Sequence, residues 1–141
     1  MKRYEYLENE ATADLAVRSY GSDLQEAFAN MALGMFNVIT PLEGIERKVE
    51  KVFSVRGEDL GELLYNFLEE FLYIIDVENL VFSDIQVKFT EDMQGLTTMC
   101  LGELLDVNHH QIGIEIKAIT YHMMSIQKSG DMWSITAVFD I

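Results

Sequence analysis

The carboxyl end of this sequence brings two anionic groups together. A strand-like run from Trp133 to Phe139 leads directly into Asp140 and Ile141, so a side-chain carboxylate and the α-carboxylate lie within a few ångströms of each other. Like charges at such a separation destabilise each other unless a cation lies between them. A metal ion or a basic group from a partner would provide that cation. The alternative is a strand that simply ends with both carboxylates solvated.

Other polar residues could contribute to the same chemistry or have structural roles only. Asp14 lies where a loop enters a strand, among small residues, and can either order the turn by accepting backbone N–H bonds or face a site. Lys117 and His122 lie in a stretch that is otherwise apolar and strand-like. The simpler interpretations are an ion pair between Lys117 and Glu115 and a hydrogen-bonded structural role for His122.

Recognisable catalytic motifs are absent from the sequence. It contains no glycine-rich phosphate loop, no H-E-x-x-H pattern and no G-x-S-x-G pattern. His109 and His110 lie in a loop-like stretch, and adjacent histidines on a rigid element do not readily bind one ion together. The single cysteine, Cys100, excludes an internal disulfide and is typical of a small core residue. The sequence therefore favours a protein that is not an enzyme.

Length and composition indicate one globular domain over residues 1–141. With 141 residues, of which 49% are hydrophobic, the chain is long enough to bury a sizeable core. The longest unbroken apolar run, Phe71 to Ile75, is too short to span a bilayer, and no apolar signal region follows the first residues. These features predict a cytoplasmic protein without a membrane partner.

The net charge of −14 restricts the partners that the chain can bind. It has 10 Lys and Arg residues against 24 Asp and Glu residues, and the segment from Glu58 to Asp92 contains ten acids and the single base Lys88. Nucleic acid binding depends on neutralising phosphates with Lys and Arg. Direct binding to RNA or DNA is therefore not expected, and a basic protein, a metal ion or a cationic ligand is a better match. Alternatively, the acidity only aids solubility.

Two segments that lie 36 positions apart repeat one pattern. Asp, Leu, Glu and Asn recur at equal offsets in residues 23–32 and 59–68, and the apolar residues of both segments follow the spacing of an amphipathic helix. Each repeat begins with residues that can form a capping box, Ser22 or Asp23 with Gln25 or Glu26 in the first and Asp59 with Glu62 in the second. We therefore interpret the repeated acids as helix caps and not as catalytic groups.

Strand-like patterns flank both predicted helices. Alternating or β-branched residues predict strands at 13–19, 48–56, 85–90, 97–105 and 112–117, and a hairpin that pairs 121–127 with 132–139. This order of elements is typical of an α+β fold in which two helices pack on one face of a mostly antiparallel sheet. The repeated helix predicts a duplicated strand-helix-strand-strand module with one shared core.

Several strings of this sequence resemble the archease family. They are Thr12-Ala13-Asp14, Lys117-Ala118-Ile119-Thr120-Tyr121-His122 and the closing Phe139-Asp140-Ile141, with the helix strings at 24–28, 58–60 and 67–70. The resemblance covers almost the whole chain, and the lysine-to-histidine string with the terminal Asp-Ile is its most specific part. One position departs from the family, which usually has a histidine before Thr-Ala-Asp, where this chain has Ala11.

The resemblance implies an accessory protein of an RtcB-type RNA ligase, which joins tRNA halves after intron removal. Such a protein promotes guanylylation and multiple turnover of the ligase and can broaden its nucleotide use. Carried over to this chain, the metal site of the family would comprise Asp14, Asp140 and Ile141, the last through its carboxylate and main chain. Ca²⁺ or another hard divalent cation is the implied cofactor. Lys117 is implied in activation of the ligase.

Two other classes of function remain open from the residues alone. A small metal-dependent hydrolase would need a general base near a bound water, and only His122 or Asp14 is available for that role. An acidic module that binds a small ligand or a peptide would leave the termini solvated, and its melting temperature would not respond to calcium.

Overall fold

The computed structural model describes residues 2–8 and 13–141, which form two α-helices, a short 3-10 helix at Leu42–Gly44 and eight strands. In chain order the elements are β1 (Tyr4–Leu7), β2 (Asp14–Gly21), α1 (Leu24–Ile39), β3 (Val49–Arg56), α2 (Leu60–Glu78), β4 (Leu80–Phe89), β5 (Gly95–Leu104), β6 (Ala118–Ile119), β7 (Ser125–Ser129) and β8 (Met132–Asp140). Among the described residues, neither α-helix has the length and the apolar composition of a membrane span.

Both helices begin at the predicted caps, with the same set of hydrogen bonds. The Asp23 carboxylate accepts a hydrogen bond from Glu26 N–H at 2.7 Å, and the Asp59 carboxylate accepts one from Glu62 N–H at 2.8 Å. Each glutamate in turn accepts a bond from the backbone N–H of the residue before the cap, at 3.1 and 3.2 Å. The predicted capping boxes are therefore confirmed, with the aspartate as the cap in both helices.

The repeat extends to one asparagine within each helix. Asn30 Nδ2 donates to Tyr20 O and Asn66 Nδ2 donates to Arg56 O, both at 2.7 Å. Each bond ties a helix to the end of the strand that precedes it. The two copies differ in burial, because Asn30 is 6% exposed and Asn66 is only partly buried.

The strands form two antiparallel sheets instead of the single predicted sheet. In one sheet β8 lies between β2 and the pair of short strands β6 and β7, and β1 adds to the outside of β2. In the other sheet β5 lies between β3 and β4. The duplicated module is present, but the copy β3-α2-β4-β5 is inserted between α1 and the closing strands of the other copy. The α+β class is confirmed.

One apolar core joins the helices and both sheets. α1 packs mainly on β2 and β4, and α2 packs mainly on β3 and β6, so each helix contacts both sheets. Phe36 of α1 and Phe71 of α2 are fully buried and meet edge to face, with ring centroids 5.3 Å apart. Cys100 is also fully buried, as predicted, and burial raises the pKa of its thiol to about 12.

The segment before β6 differs from the strand predicted at 112–117. Its backbone bonds run to the end of α1, where Gly113 N–H donates to Ile39 O at 2.8 Å and Ile114 N–H donates to Val38 O at 2.7 Å. The last carbonyls of a helix have no partner within the helix. Gly113 and Ile114 therefore complete the end of α1 instead of joining a sheet, and only Lys117, at the end of the segment, bonds to β8. The other predicted strands and the hairpin are confirmed with shifted ends, and β1 has no counterpart among the predicted strands.

Candidate functional site beside the last strand

The end of β8 lies between β2 and β6, which places predicted site residues side by side. Asp14 and Asp140 are directly opposite each other in the antiparallel register, and Ala118 is opposite Asp140 on the other edge. Ile141 N–H donates to Ala13 O at 2.9 Å, so the adjacent Asp14–Asp140 pair is a non-hydrogen-bonded pair. In such a pair the Cα atoms are about 4.5 Å apart and the side chains share one face, so the two carboxylates are neighbours.

Backbone hydrogen bonds also fix Lys117 to the end of β8. Lys117 N–H donates to Asp140 O at 2.8 Å, on the edge away from β2. Asp14 and Ile141 are partly buried, whereas Asp140 and Lys117 are exposed. Within residues 2–8 and 13–141, no carboxylate lies within 4.0 Å of the Lys117 ammonium, so the ion pair with Glu115 is absent there. The structure thus brings Asp14, Asp140 and Ile141 together and holds the backbone of Lys117 beside them.

The string from Lys117 to His122 continues β6 into a turn. The backbone N–H and the hydroxyl of Thr120 both donate to Val138 O, at 3.2 and 2.8 Å. His122 is exposed, and its backbone N–H donates to Thr120 Oγ1 at 3.2 Å. Its ring makes no hydrogen bond to another described residue, in contrast to the expected structural role. The string therefore holds the end of β8 through hydrogen bonds to the backbone carbonyls of Val138 and Asp140.

The potential ligands at this end of β8 are oxygen atoms. Two side-chain carboxylates and the α-carboxylate lie at one end of one sheet, and a cation would relieve their mutual repulsion. Hard cations such as Ca²⁺ and Mg²⁺ prefer such oxygen ligands. Ala11 and Thr12, which precede Asp14 by only a few positions, lie outside the described residues.

A second cluster of potential metal ligands, which the sequence did not predict, lies at the end of β5 and in the loop that follows it. Ligand atoms of Glu103, His109 and His110 lie within 4.8 Å of one another. His110 Nε2 is 3.0 Å from Glu103 Oε2, and His110 Nδ1 accepts a hydrogen bond from Asp106 N–H at 2.9 Å. Because Nδ1 is an acceptor, the proton of the neutral imidazole is on Nε2 and is donated to Glu103. Both nitrogens of His110 are thus engaged, and the cluster does not offer three free ligands.

We call the buried pair of Glu103 and His110 the latch, because it joins separate parts of the chain. The Glu103 carboxylate also accepts a hydrogen bond from Glu46 N–H at 2.5 Å and lies 3.8 Å from the Lys48 ammonium. The N–H of Glu46, then His110 and Lys48, lower the pKa of Glu103. The latch fastens the loop after β5 to the segment before β3. Its only signal in the sequence is the pair of adjacent histidines.

Comparison with known proteins places these observations in a family. A family model described as the Archease protein family (MTH1598/TM1083) matches residues 4–141. The protein archease of Pyrococcus abyssi is 46% identical over 144 residues, with full coverage of both chains. The protein archease of Methanosarcina barkeri is 36% identical over 143 residues, covering 99% of this chain and 97% of the relative.

Two solved structures share the fold. The solution structure of Methanobacterium thermoautotrophicum protein 1598 has a TM-score of 0.87, 36% sequence identity and full coverage of both chains. The crystal structure of a Thermotoga maritima protein, described as an archease and possible chaperone, has a TM-score of 0.65, 22% identity and 96% coverage of each chain, a likeness of fold alone. From the family model and the sequence relatives, the chain belongs to the archease family.

Proposed function

We propose that this chain is an accessory protein that activates an RtcB-type tRNA-splicing RNA ligase by promoting its guanylylation and multiple turnover. Membership of the archease family supports the proposal. The string from Lys117 to His122 and the terminal Asp140 and Ile141 support it further. The observation that carries it is the cross-strand pair of Asp14 and Asp140 beside the last residue.

The same residues fit a hard divalent cation, and the proposal includes Ca²⁺. Ca²⁺ binds carboxylate and main-chain oxygens, and Asp14, Asp140 and Ile141 offer such atoms at one end of a sheet. Three carboxylates do not fill the roughly six to eight positions around Ca²⁺. The open positions would accept water or an acidic or phosphate group of the ligase, so these residues would support a cation-dependent contact.

The charge of the chain suits a basic protein partner. A ligase that binds RNA needs Lys and Arg to neutralise phosphates, and a chain with a net charge of −14 is complementary to such a surface. An acidic accessory protein does not compete with the ligase for RNA. Lys117 is a basic residue at this otherwise acidic candidate site. Its backbone is fixed to Asp140, and its side chain is exposed. We assign this side chain to contact with the ligase.

A guanylylation assay of the cognate ligase tests the proposal. The variants are Asp14→Asn and a chain with one residue added after Ile141, each at saturating concentration. Each change removes or displaces one carboxylate, and we expect a loss of stimulation of about tenfold or more, the scale on which disturbed metal sites lose affinity or activity. Asp131→Asn, in the exposed turn between β7 and β8, is the matched control and should stimulate normally. Unchanged stimulation by both test variants would contradict the proposal.

A calcium titration tests the metal separately. With calcium at 100 times its dissociation constant, the native state gains about 2.7 kcal/mol, so the melting temperature of the unmodified chain should rise. Asp14→Asn should respond much less. A melting temperature of the unmodified chain that does not change with calcium would refute the metal site. The purified chain alone should not hydrolyse phosphoesters, whereas the hydrolase alternative requires turnover.

A further inference from the structure

A pair of stacked tyrosines, of which Tyr121 is exposed and Tyr65 is partly buried, lies where the turn after β6 meets α2. The rings of Tyr65, on α2, and Tyr121, in the turn, are parallel to within 5°, and their centroids are 4.5 Å apart. We call this pair the aromatic platform. Tyr121 is 56% exposed, so the electron-rich face of its ring is accessible from solvent. The contact with a helix residue holds the ring of the turn residue in place.

Negative charge surrounds the aromatic platform. Burial and then the charges of Glu62, Asp59 and Glu69 raise the pKa of Tyr121, and a hydrogen bond with Glu69 raises the pKa of Tyr65. α2 carries five acidic residues and no Lys or Arg. In the described part of the chain, no Lys or Arg lies over either ring. The platform is therefore an aromatic surface in an anionic setting, without a cation of its own.

A cavity of about 450 Å³ opens beside the platform. Tyr121 and Asp59 line it together with the apolar side chains of Met124 and Ile126. Such a lining suits a long side chain that has an aliphatic stem and a cationic head group. The platform is also continuous with the candidate site, because Tyr121 and Lys117 belong to one string joined through β6.

We propose that the aromatic platform is the docking site for an arginine side chain of the partner ligase, an inference that rests on the function proposed above. A guanidinium stacks on an aromatic face while it donates hydrogen bonds to carboxylates, which an ammonium group does less well. Tyrosine and arginine are also among the residues that contribute most to binding at protein interfaces. A nucleic acid base could stack on tyrosine, but the surrounding carboxylates would repel its phosphates.

Affinity for the ligase, measured with the full chain and the purified cognate ligase, tests the docking site. We expect Tyr121→Ala to raise the dissociation constant about tenfold, the scale of an interface residue with a large contribution. Tyr121→Phe keeps the ring and should bind nearly as well as the unmodified chain. Tyr73→Ala is the matched control, because Tyr73 is also 56% exposed and lies on α2 two turns beyond Tyr65. Melting curves check that the exposed substitutions leave the fold intact.

The guanylylation assay separates docking from activation. Tyr121→Ala should shift the concentration needed for half-maximal stimulation but reach the normal plateau, whereas Asp14→Asn should lower the plateau. Normal binding by Tyr121→Ala, or an equal loss with Tyr73→Ala, would overturn the docking site and leave the proposed function standing. Failure of the unmodified chain to bind the ligase would overturn both. If the unmodified chain binds a single-stranded RNA oligonucleotide and Tyr121→Ala abolishes that binding, the proposal that the platform receives an arginine side chain would be overturned.

Discussion

Gly113→Ala should loosen the segment that leads from the latch to Lys117. A Cβ atom at position 113 would lie 2.1 Å from Val38 O, well inside van der Waals contact, so the segment must move away from the end of α1. Two backbone hydrogen bonds depend on the close approach of this segment to α1. They run from Gly113 N–H to Ile39 O and from Ile114 N–H to Val38 O. The substitution therefore acts on both bonds at once, without changing any charge.

The structure gives the expected size of this effect. At a net 0.5–1.5 kcal/mol for each hydrogen bond, losing both would lower the free energy of unfolding by about 1–3 kcal/mol. For a chain of this length, that corresponds to a fall in melting temperature of roughly 3–10 °C. The displaced segment would also disturb the bond from Lys117 N–H to Asp140 O, so stimulation of the ligase should decline as well.

Urea denaturation of Gly113→Ala beside Gly44→Ala measures this effect. Gly44 lies at the end of the short 3-10 helix Leu42–Gly44 after α1, and a Cβ there would meet no atom within 4 Å. The control should be unchanged or slightly more stable, because alanine reduces the entropy of the unfolded chain. Equal unfolding midpoints for Gly113→Ala and the unmodified chain would refute the inference that the close approach holds this segment.

Two further predictions concern the repeated asparagine and the latch. Asn30→Ala should cost about 1–3 kcal/mol, because it removes a buried side chain that donates to the partly buried Tyr20 carbonyl. Asn66→Ala should cost less because water reaches its site, and equal losses in urea would contradict this. The lowered pKa of Glu103 means that its stabilising contribution is complete above the ordinary carboxyl pKa and is lost as pH falls through the folded-state value. Stability measured from pH 7 to pH 3 should therefore fall more steeply for the unmodified chain than for Glu103→Gln, and parallel profiles would count against the latch.

Local features of the fold are predictable from the sequence, and the pairing of distant strands is not. The capping boxes at Asp23 and Asp59 follow from residues three positions apart, and the structure confirms them. The division into two sheets depends on which distant strands meet, and alternation within one strand carries no such information. The segment 112–117 alternates like a strand, but the N–H groups of Gly113 and Ile114 bind the free carbonyls at the end of α1.

The candidate site is also only partly predictable from the sequence. The proximity of Asp140 to the terminus is a matter of sequence, but the register that places Asp14 opposite Asp140 joins residues at the two ends of the chain. The resemblance to a family implied this association, and spacing alone did not. The bond between Glu103 and His110 is not predictable from the sequence, because it depends on the path of a loop. Two adjacent histidines do not indicate which way either ring points.

Guanylylation of the cognate ligase, measured with and without the unmodified chain in the presence of GTP and calcium, tests the central proposal most directly. The proposal predicts that the chain accelerates formation of the guanylylated ligase and that substoichiometric ligase then seals more than one RNA per molecule. Equal rates of guanylylation and a single sealing event per ligase, with or without the chain, would contradict it.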